Sequence, residues 1–313
     1  MKWIFIPANF LLIIFLLLSI SFYYNFILLS PILAIFLGLF YSLLYKDNAQ
    51  KISTKVSTIP LQVGIVLLGF TVSIATLMSA IDAYAFWVLF FIIFSFVLSL
   101  SLGKVFGLDI KLNILLASGL SICGATAIAL IGPLIKANTK FIFISLAILF
   151  SFNLLAIILF PVFGKFLEMS NNEFGVFSAL AIHDTGSVIG SALAFSNTSV
   201  EVAASLKILR TLGLIPLILL LNYKFNATKK GFTFPGFIIY FFIALTISNI
   251  FELSYSLIEN IKILSKTFIV IGIFCIGLQF SKIEYKELSL KPLVLALIVW
   301  VCVIPMAYFI SVS

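Results

Sequence analysis

Apolar residues in this chain come in long unbroken runs divided by short polar breaks, with neither strand alternation nor the single stripe of a half-buried helix. The runs fall at residues 3–22, 26–45, 59–80, 84–103, 112–135, 141–163, 174–195, 201–221, 234–250, 263–281 and 292–311. Most are close to the ~20 residues that cross a hydrocarbon core. A segment in hydrocarbon must satisfy its own backbone polar groups, so runs of this length predict helices. A transmembrane barrel would instead need short alternating strands. The expected fold is an all-α polytopic membrane protein of about eleven transmembrane helices, with one transmembrane domain over residues 1–313. The first run follows Lys2 and reads as a spanning helix, because no A-x-A site and polar mature region follow it.

Composition fits this picture. Hydrophobic residues make up 63% of the 313 and charged residues only 10%, and the mean hydropathy is +1.29. Soluble domains are near half apolar and a quarter charged, so a water-facing surface cannot absorb this excess. The formal net charge of +8 would suggest nucleic acid in a soluble protein. Here the lysines lie in breaks between runs, so they set orientation and nucleic acid is not an expected partner. With the N-terminus inside, 13 of the 19 basic residues fall on inside segments, among them Lys104, Lys111 and Lys165. Lys136, Lys140, Lys262 and Lys266 fall outside, and Lys207 and Arg210 lie within a run. Cys123, Cys275 and Cys302 lie in apolar runs, with no CxxC pair or Cys/His cluster. No disulfide framework, metal or cofactor is therefore expected.

Two internal matches suggest duplication. GIVLLGFTVS at 64–73 and GIFCIGLQFS at 272–281 share four residues in register. In the eleven-span topology they run in opposite directions, as inverted repeats do. SGLSICGATAI at 118–128 and SALAIHDTGSV at 178–188 also match, but in that topology they run the same way.

The candidate chemistry is confined to a few residues. Charges inside a membrane are rare and mark function by default. Asp184 lies mid-run beside His183, the sole histidine, and Lys207 and Arg210 share one face of the next run, where they are the candidate cations that bind the substrate anion. By helical rise, Asp184 and Arg210 lie about 18 Å and about 15 Å from the outer ends of their runs, so an Asp184–Arg210 ion pair is expected. Ser121, Cys123, Gly124, Ala125 and Thr126, and likewise Thr185, Gly186 and Ser187, are small or hydroxylated. Such stretches let helices unwind mid-membrane, where freed amides hold an anion. His183 and Asp184 are the candidate proton-coupling pair. Close helix packing and a helix-locking ion pair are the structural alternatives. Asp184-Thr185-Gly186-Ser187 copies the motif of pepsin-like proteases, but those need two facing carboxylates on β structure. No HExxH, GxSxG or Walker A motif occurs.

At GIVLLGFTVSIATL (64–77), SGLSICGATAIALIGPLIKA (118–137), LAIHDTGSVIGSALAFS (180–196) and LKILRTLGLIPLILL (206–220), the chain resembles the YeiH family of bacterial membrane proteins, described as sulfate exporters. It departs from the family at Ala181, where serine is frequent, and at Gly186-Ser187, where alanine-glutamine is usual. The resemblance implies an inner-membrane protein of ten or eleven helices. It also implies kinship with sodium/proton antiporters and bile-acid symporters, whose cores hold two crossing, unwound helices. The expected function is a non-enzymatic secondary transporter that exports a small anion such as sulfate. The expected partners are that anion and membrane lipid, with a further copy of the chain left open. The alternatives are a membrane enzyme using His183 and Asp184 as an acid–base pair, or an assembly subunit without a substrate of its own.

Overall fold

The computed structural model describes residues 30–45, 59–72, 74–225, 236–251, 253–278 and 290–313, and these contain helices and turns with no strand. The run at 3–22 lies outside the described residues. The helices are α1 (Ser30–Leu44), α2 (Ile59–Gly69), α3 (Ile74–Val105), α4 (Ile110–Ser118, continued by a wider π turn over Gly119–Cys123), α5 (Ala125–Leu134), α6 (Thr139–Phe166) and α7 (Asn171–Ala181). They continue with α8 (Thr185–Phe195), α9 (Ser199–Leu212), α10 (Leu214–Phe225), α11 (Gly236–Ile250), α12 (Tyr255–Leu278) and α13 (Leu290–Val312). Five stretches among the described residues are long and apolar enough to cross a membrane: 81–105, 140–166, 199–225, 256–278 and 290–312.

The predicted run at 59–80 divides, since α2 ends at Gly69 and residues 74–80 begin α3, and two of the described runs turn back instead of crossing. Lys111 at the start of α4 donates from Nζ to the carbonyl of Lys136, just past the end of α5, at 2.9 Å. Further in, a Cβ on Gly132 would lie 3.9 Å from Leu115 Cδ2, and one on Gly119 would lie 3.1 Å from Ile128 Cδ1. Residues 110–134 are therefore a re-entrant hairpin with its tip at Gly124. The second hairpin is 171–195: Phe174 near the start of α7 stacks on Phe195 at the end of α8, with ring centroids 4.0 Å apart. Each arm has only about ten to fourteen residues, or roughly 15–21 Å of helix, which is half a bilayer. The cores of unwound helices expected from the sequence are present, but as hairpins meeting tip to tip rather than as crossing spans.

The hairpins enter from opposite faces. Asn113, near the mouth of the first, donates from Nδ2 to Leu100 O near the end of α3. α6 starts beside that mouth and runs 28 residues. Gly164, near its far end, packs on Phe174 and Phe195 at the mouth of the second hairpin. The face of the first mouth carries Lys104, Lys111, Lys136, Lys140 and the α10 terminus with Lys224. The face of the second carries Lys165, Lys262 and Lys266, diluted by Glu168, Glu173, Glu201 and Glu259. By the lysine excess among the described residues, the first face is expected to be the cytoplasmic one. Lys136 and Lys140 thus move inside and Lys165 outside, reversing the sequence-based placement.

This geometry resolves the second internal match. The tips at 118–128 and 178–188 are approached from opposite faces, so they form an inverted pair. The first match has a packing cause. Gly64 and Gly272 sit at a close antiparallel crossing of α2 and α12, where a Cβ would lie 2.7 Å from Ile269 Cγ1 and 2.6 Å from Leu61 Cβ respectively. Small residues at such a crossing let the backbones approach.

The helices sort into two bundles. α1, α2, α11 and α12 pack on one another, while α3–α10 and α13 enclose both hairpins. α8 forms the main seam between the bundles, against α12 and α1. At the outer face, Lys262 of α12 pairs with Glu201 of α9 across the seam at 3.4 Å.

The hairpin topology predicts labelling from one side only. In a Cys302→Ser background, where the remaining cysteines are buried, Lys136→Cys should react with an impermeant maleimide in inverted vesicles and not in intact spheroplasts. Glu168→Cys should do the reverse. Labelling of Lys136→Cys from outside would restore a crossing span at 112–135.

Candidate functional site

The two hairpin tips abut near mid-membrane. At the first tip Gly124 takes φ +62°, a left-handed backbone that glycine accepts without penalty. A Cβ there would lie 3.2 Å from Asp184 of the second tip. Both hairpins thus place two helix ends in low-dielectric surroundings. The incoming arms present unpaired carbonyls and the outgoing arms unpaired amides.

The carbonyls are satisfied by α9. Arg210 is fully buried and donates from Nε to Ser121 O at 2.8 Å and from Nη2 to Leu120 O at 2.9 Å. Its Nη1 faces Ala179 O, Leu180 O and Ile182 O at 3.0, 2.6 and 3.2 Å. The Phe91 ring lies 5.0 Å from its guanidinium carbon. Lys207, one turn earlier and equally buried, donates from Nζ to Ile122 O at 3.2 Å and Ile182 O at 2.9 Å. A further tip carbonyl, Ala181 O, accepts from Trp300 Nε1 of α13 at 3.0 Å. Cations at helix C-termini also oppose the negative end of the macrodipole.

The amide ends differ from each other. Asp184 caps α8, with Oδ2 accepting from Gly186 N at 3.0 Å and Ser187 N at 3.3 Å. α5 has Gly124 at its cap and no side-chain hydrogen bond there. Its first residues, Ala125 and Thr126, are half-buried, as is Asp184, whereas Ser121, Cys123, Gly124, Thr185, Gly186 and Ser187 are buried. His183 places Nδ1 3.0 Å from Leu120 O. A carbonyl only accepts, so Nδ1 carries the proton there. The sequence-predicted site residues therefore come together around the two tips, drawn from three segments of chain. The predicted Asp184–Arg210 ion pair does not form: Asp184 Oδ2 accepts from backbone amides and Arg210 donates to carbonyls. Sequence reasoning missed Trp300, whose indole in a uniformly apolar run gave no sign of a partner carbonyl.

A family model described as conserved hypothetical protein 698 matches residues 9–296. Relatives named UPF0324 membrane protein cover most of the chain. One from Bacteroides thetaiotaomicron is 32% identical over 282 residues, 88% of this chain and 84% of the relative. One from Streptococcus pyogenes is 32% identical over 294 residues, 88% and 86% of the two chains. One from Shewanella oneidensis is 32% identical over 243 residues, 78% and 77%. This chain belongs to the UPF0324 family. It is a multi-pass membrane protein, in keeping with the relatives' names and the apolar helices. No solved structure matches it.

Removing the Arg210 guanidinium leaves several carbonyls unpaired in the membrane, and charge-assisted hydrogen bonds contribute about 1.5–3 kcal/mol each. Arg210→Ala should destabilise by at least about 3 kcal/mol, with Arg210→Lys only partly restoring stability because one ammonium has fewer donors than the guanidinium fork that meets the carbonyls of Leu120, Ser121, Ala179, Leu180 and Ile182. Adding Asp184→Asn to Arg210→Gln should give no rescue, with a coupling energy below about 0.5 kcal/mol in a double-mutant cycle. The measurement is thermal unfolding of purified protein in detergent. A rescue would mean that the two residues form a pair after all.

Proposed function

We propose that this protein is a secondary transporter carrying a small oxyanion outward across the plasma membrane, with monovalent oxyanions as the first candidates and divalent sulfate, the expectation from the sequence, as the comparison. The observation behind this reading is the charge at the tip junction. Two buried cations, Lys207 and Arg210, face one carboxylate, Asp184. The helix ends carry roughly half a charge each, two of either sign, and cancel. About one positive charge is left over, which a monovalent anion neutralises. The anion would sit at the N-terminus of α5, on the amides of Ala125 and Thr126, where no side chain caps the helix. Ser121, Cys123 and Gly124, with Thr185, Gly186 and Ser187 of the other tip, would shape the site. Lys207 and Arg210 would act mainly through their field, being held by carbonyls.

Movement would follow the seam between the two bundles. Glu201–Lys262 closes it at the outer face. A partly exposed pair of this kind contributes about 0–1 kcal/mol, so it breaks readily. Asp184 and His183 would couple transport to protons.

The test is flux of radiolabelled sulfate and related oxyanions in proteoliposomes across roughly pH 5.5 to 8.5. Wild-type protein should carry at least one of them above empty vesicles. Asp184→Asn should flatten the pH profile, since it removes a titratable group, and not merely scale the rate. Folded, inserted protein that moves none of these anions would overturn the reading.

A further inference from the structure

Asn153 of α6 is 1% exposed, and neither its Oδ1 nor its Nδ2 has a hydrogen-bond partner. A buried amide unpaired at both ends is costly, so its surroundings matter. Its neighbours at i−4 and i+4 lie on the same helical face. Leu149 touches the first hairpin, where a Cβ on Gly119 would meet Leu149 Cδ1 at 2.5 Å. Ile157 touches the second, its Cδ1 lying 3.7 Å from a Cβ on Gly190. Asn153 therefore stands where α6 passes both hairpins, level with their tips. Three further buried groups at the tips are unpartnered, Ser121 Oγ, Ser187 Oγ and His183 Nε2. With Nδ1 donating to Leu120 O, Nε2 of a neutral ring is a bare acceptor.

Resting on the transporter reading, we propose that Asn153 is a substrate-binding residue and that the substrate class is a monoprotonated oxyanion. Such a guest meets both demands of the junction. Its single negative charge matches the one positive charge left over by Lys207, Arg210 and Asp184. Its hydroxyl supplies the donor that Asn153 Oδ1 or His183 Nε2 lacks, while its oxygens accept from Asn153 Nδ2 and Ser121 Oγ. A fully deprotonated dianion would leave the acceptors unpaired and overshoot the charge.

Hydrogencarbonate and nitrate separate these demands, since both are planar monoanions with three oxygens and only the first carries a proton. The assay is the ligand-induced thermal shift of full-length purified protein, titrated with potassium hydrogencarbonate, potassium nitrate and potassium sulfate. Wild type should bind hydrogencarbonate about tenfold or more tightly than nitrate, because a site that hydrogen-bonds a substrate hydroxyl rejects the analogue lacking it. Asn153→Leu should unfold at a higher temperature without ligand, having shed an unpaired amide, and should lose the preference. If Asn153→Leu does not insert, Asn153→Ala removes the same amide without adding bulk. Equal binding of nitrate and hydrogencarbonate by wild type, or unchanged binding by the variant, overturns the proposal. No shift with any of the three salts in wild type would count instead against anion binding as a whole.

Discussion

Breaking a helix in the middle of a membrane exposes carbonyls that nothing in lipid can satisfy, and the described residues contain two such breaks at one depth. The rest of the core is arranged around meeting that demand. Among the incoming arms' terminal carbonyls, those of Leu120, Ser121, Ile122, Ala179, Leu180 and Ile182 all accept from Arg210 or Lys207. Residues three apart on α9 reach both tips because α9 starts at the mouth of the second hairpin and runs alongside α7. That packing is close, for a Cβ on Gly175 would lie 2.9 Å from Ser199 O. The cations thus hold the tips to α9, and α9 in turn sets where the tips meet.

Much of this was legible in the sequence. The apolar runs gave the helices, and intramembrane Asp184, Lys207 and Arg210 marked the site. The small-residue stretches around Gly124 and Gly186 marked the breaks. What was not legible was whether a broken run crosses or returns. A run of about 24 residues spans a bilayer once as a helix or dips halfway and back as two arms, and its composition is the same in either case. One signal was present: Lys111 precedes and Lys136 and Lys140 follow the run at 112–135. Basic residues at both ends of a run suit a hairpin with both ends inside better than a crossing. The predicted ion pair failed for a related reason. Opposite charges at similar depth look like partners while the backbone is assumed complete, but helix ends compete for them. Asn153 was invisible because a single amide in an apolar run has no meaning until its neighbours are known.

The same cations limit how the molecule can move. Arg210 donates to the first hairpin through Nε and Nη2 and to the second through Nη1. Lys207 likewise donates to one carbonyl of each. Separating the tips would strip these donors from both at once, at a cost of several charge-assisted hydrogen bonds in hydrocarbon. The seam against α12 is different. Gly190 there meets the apolar side chain of Ile273, a Cβ on it lying 2.9 Å from Ile273 Cδ1. Contacts of that kind are weak singly and can be exchanged for similar ones on sliding. The two hairpins with α9 should therefore travel as one body past α1, α2, α11 and α12, so that alternating access exchanges apolar contacts along α8 and leaves the ionic junction intact.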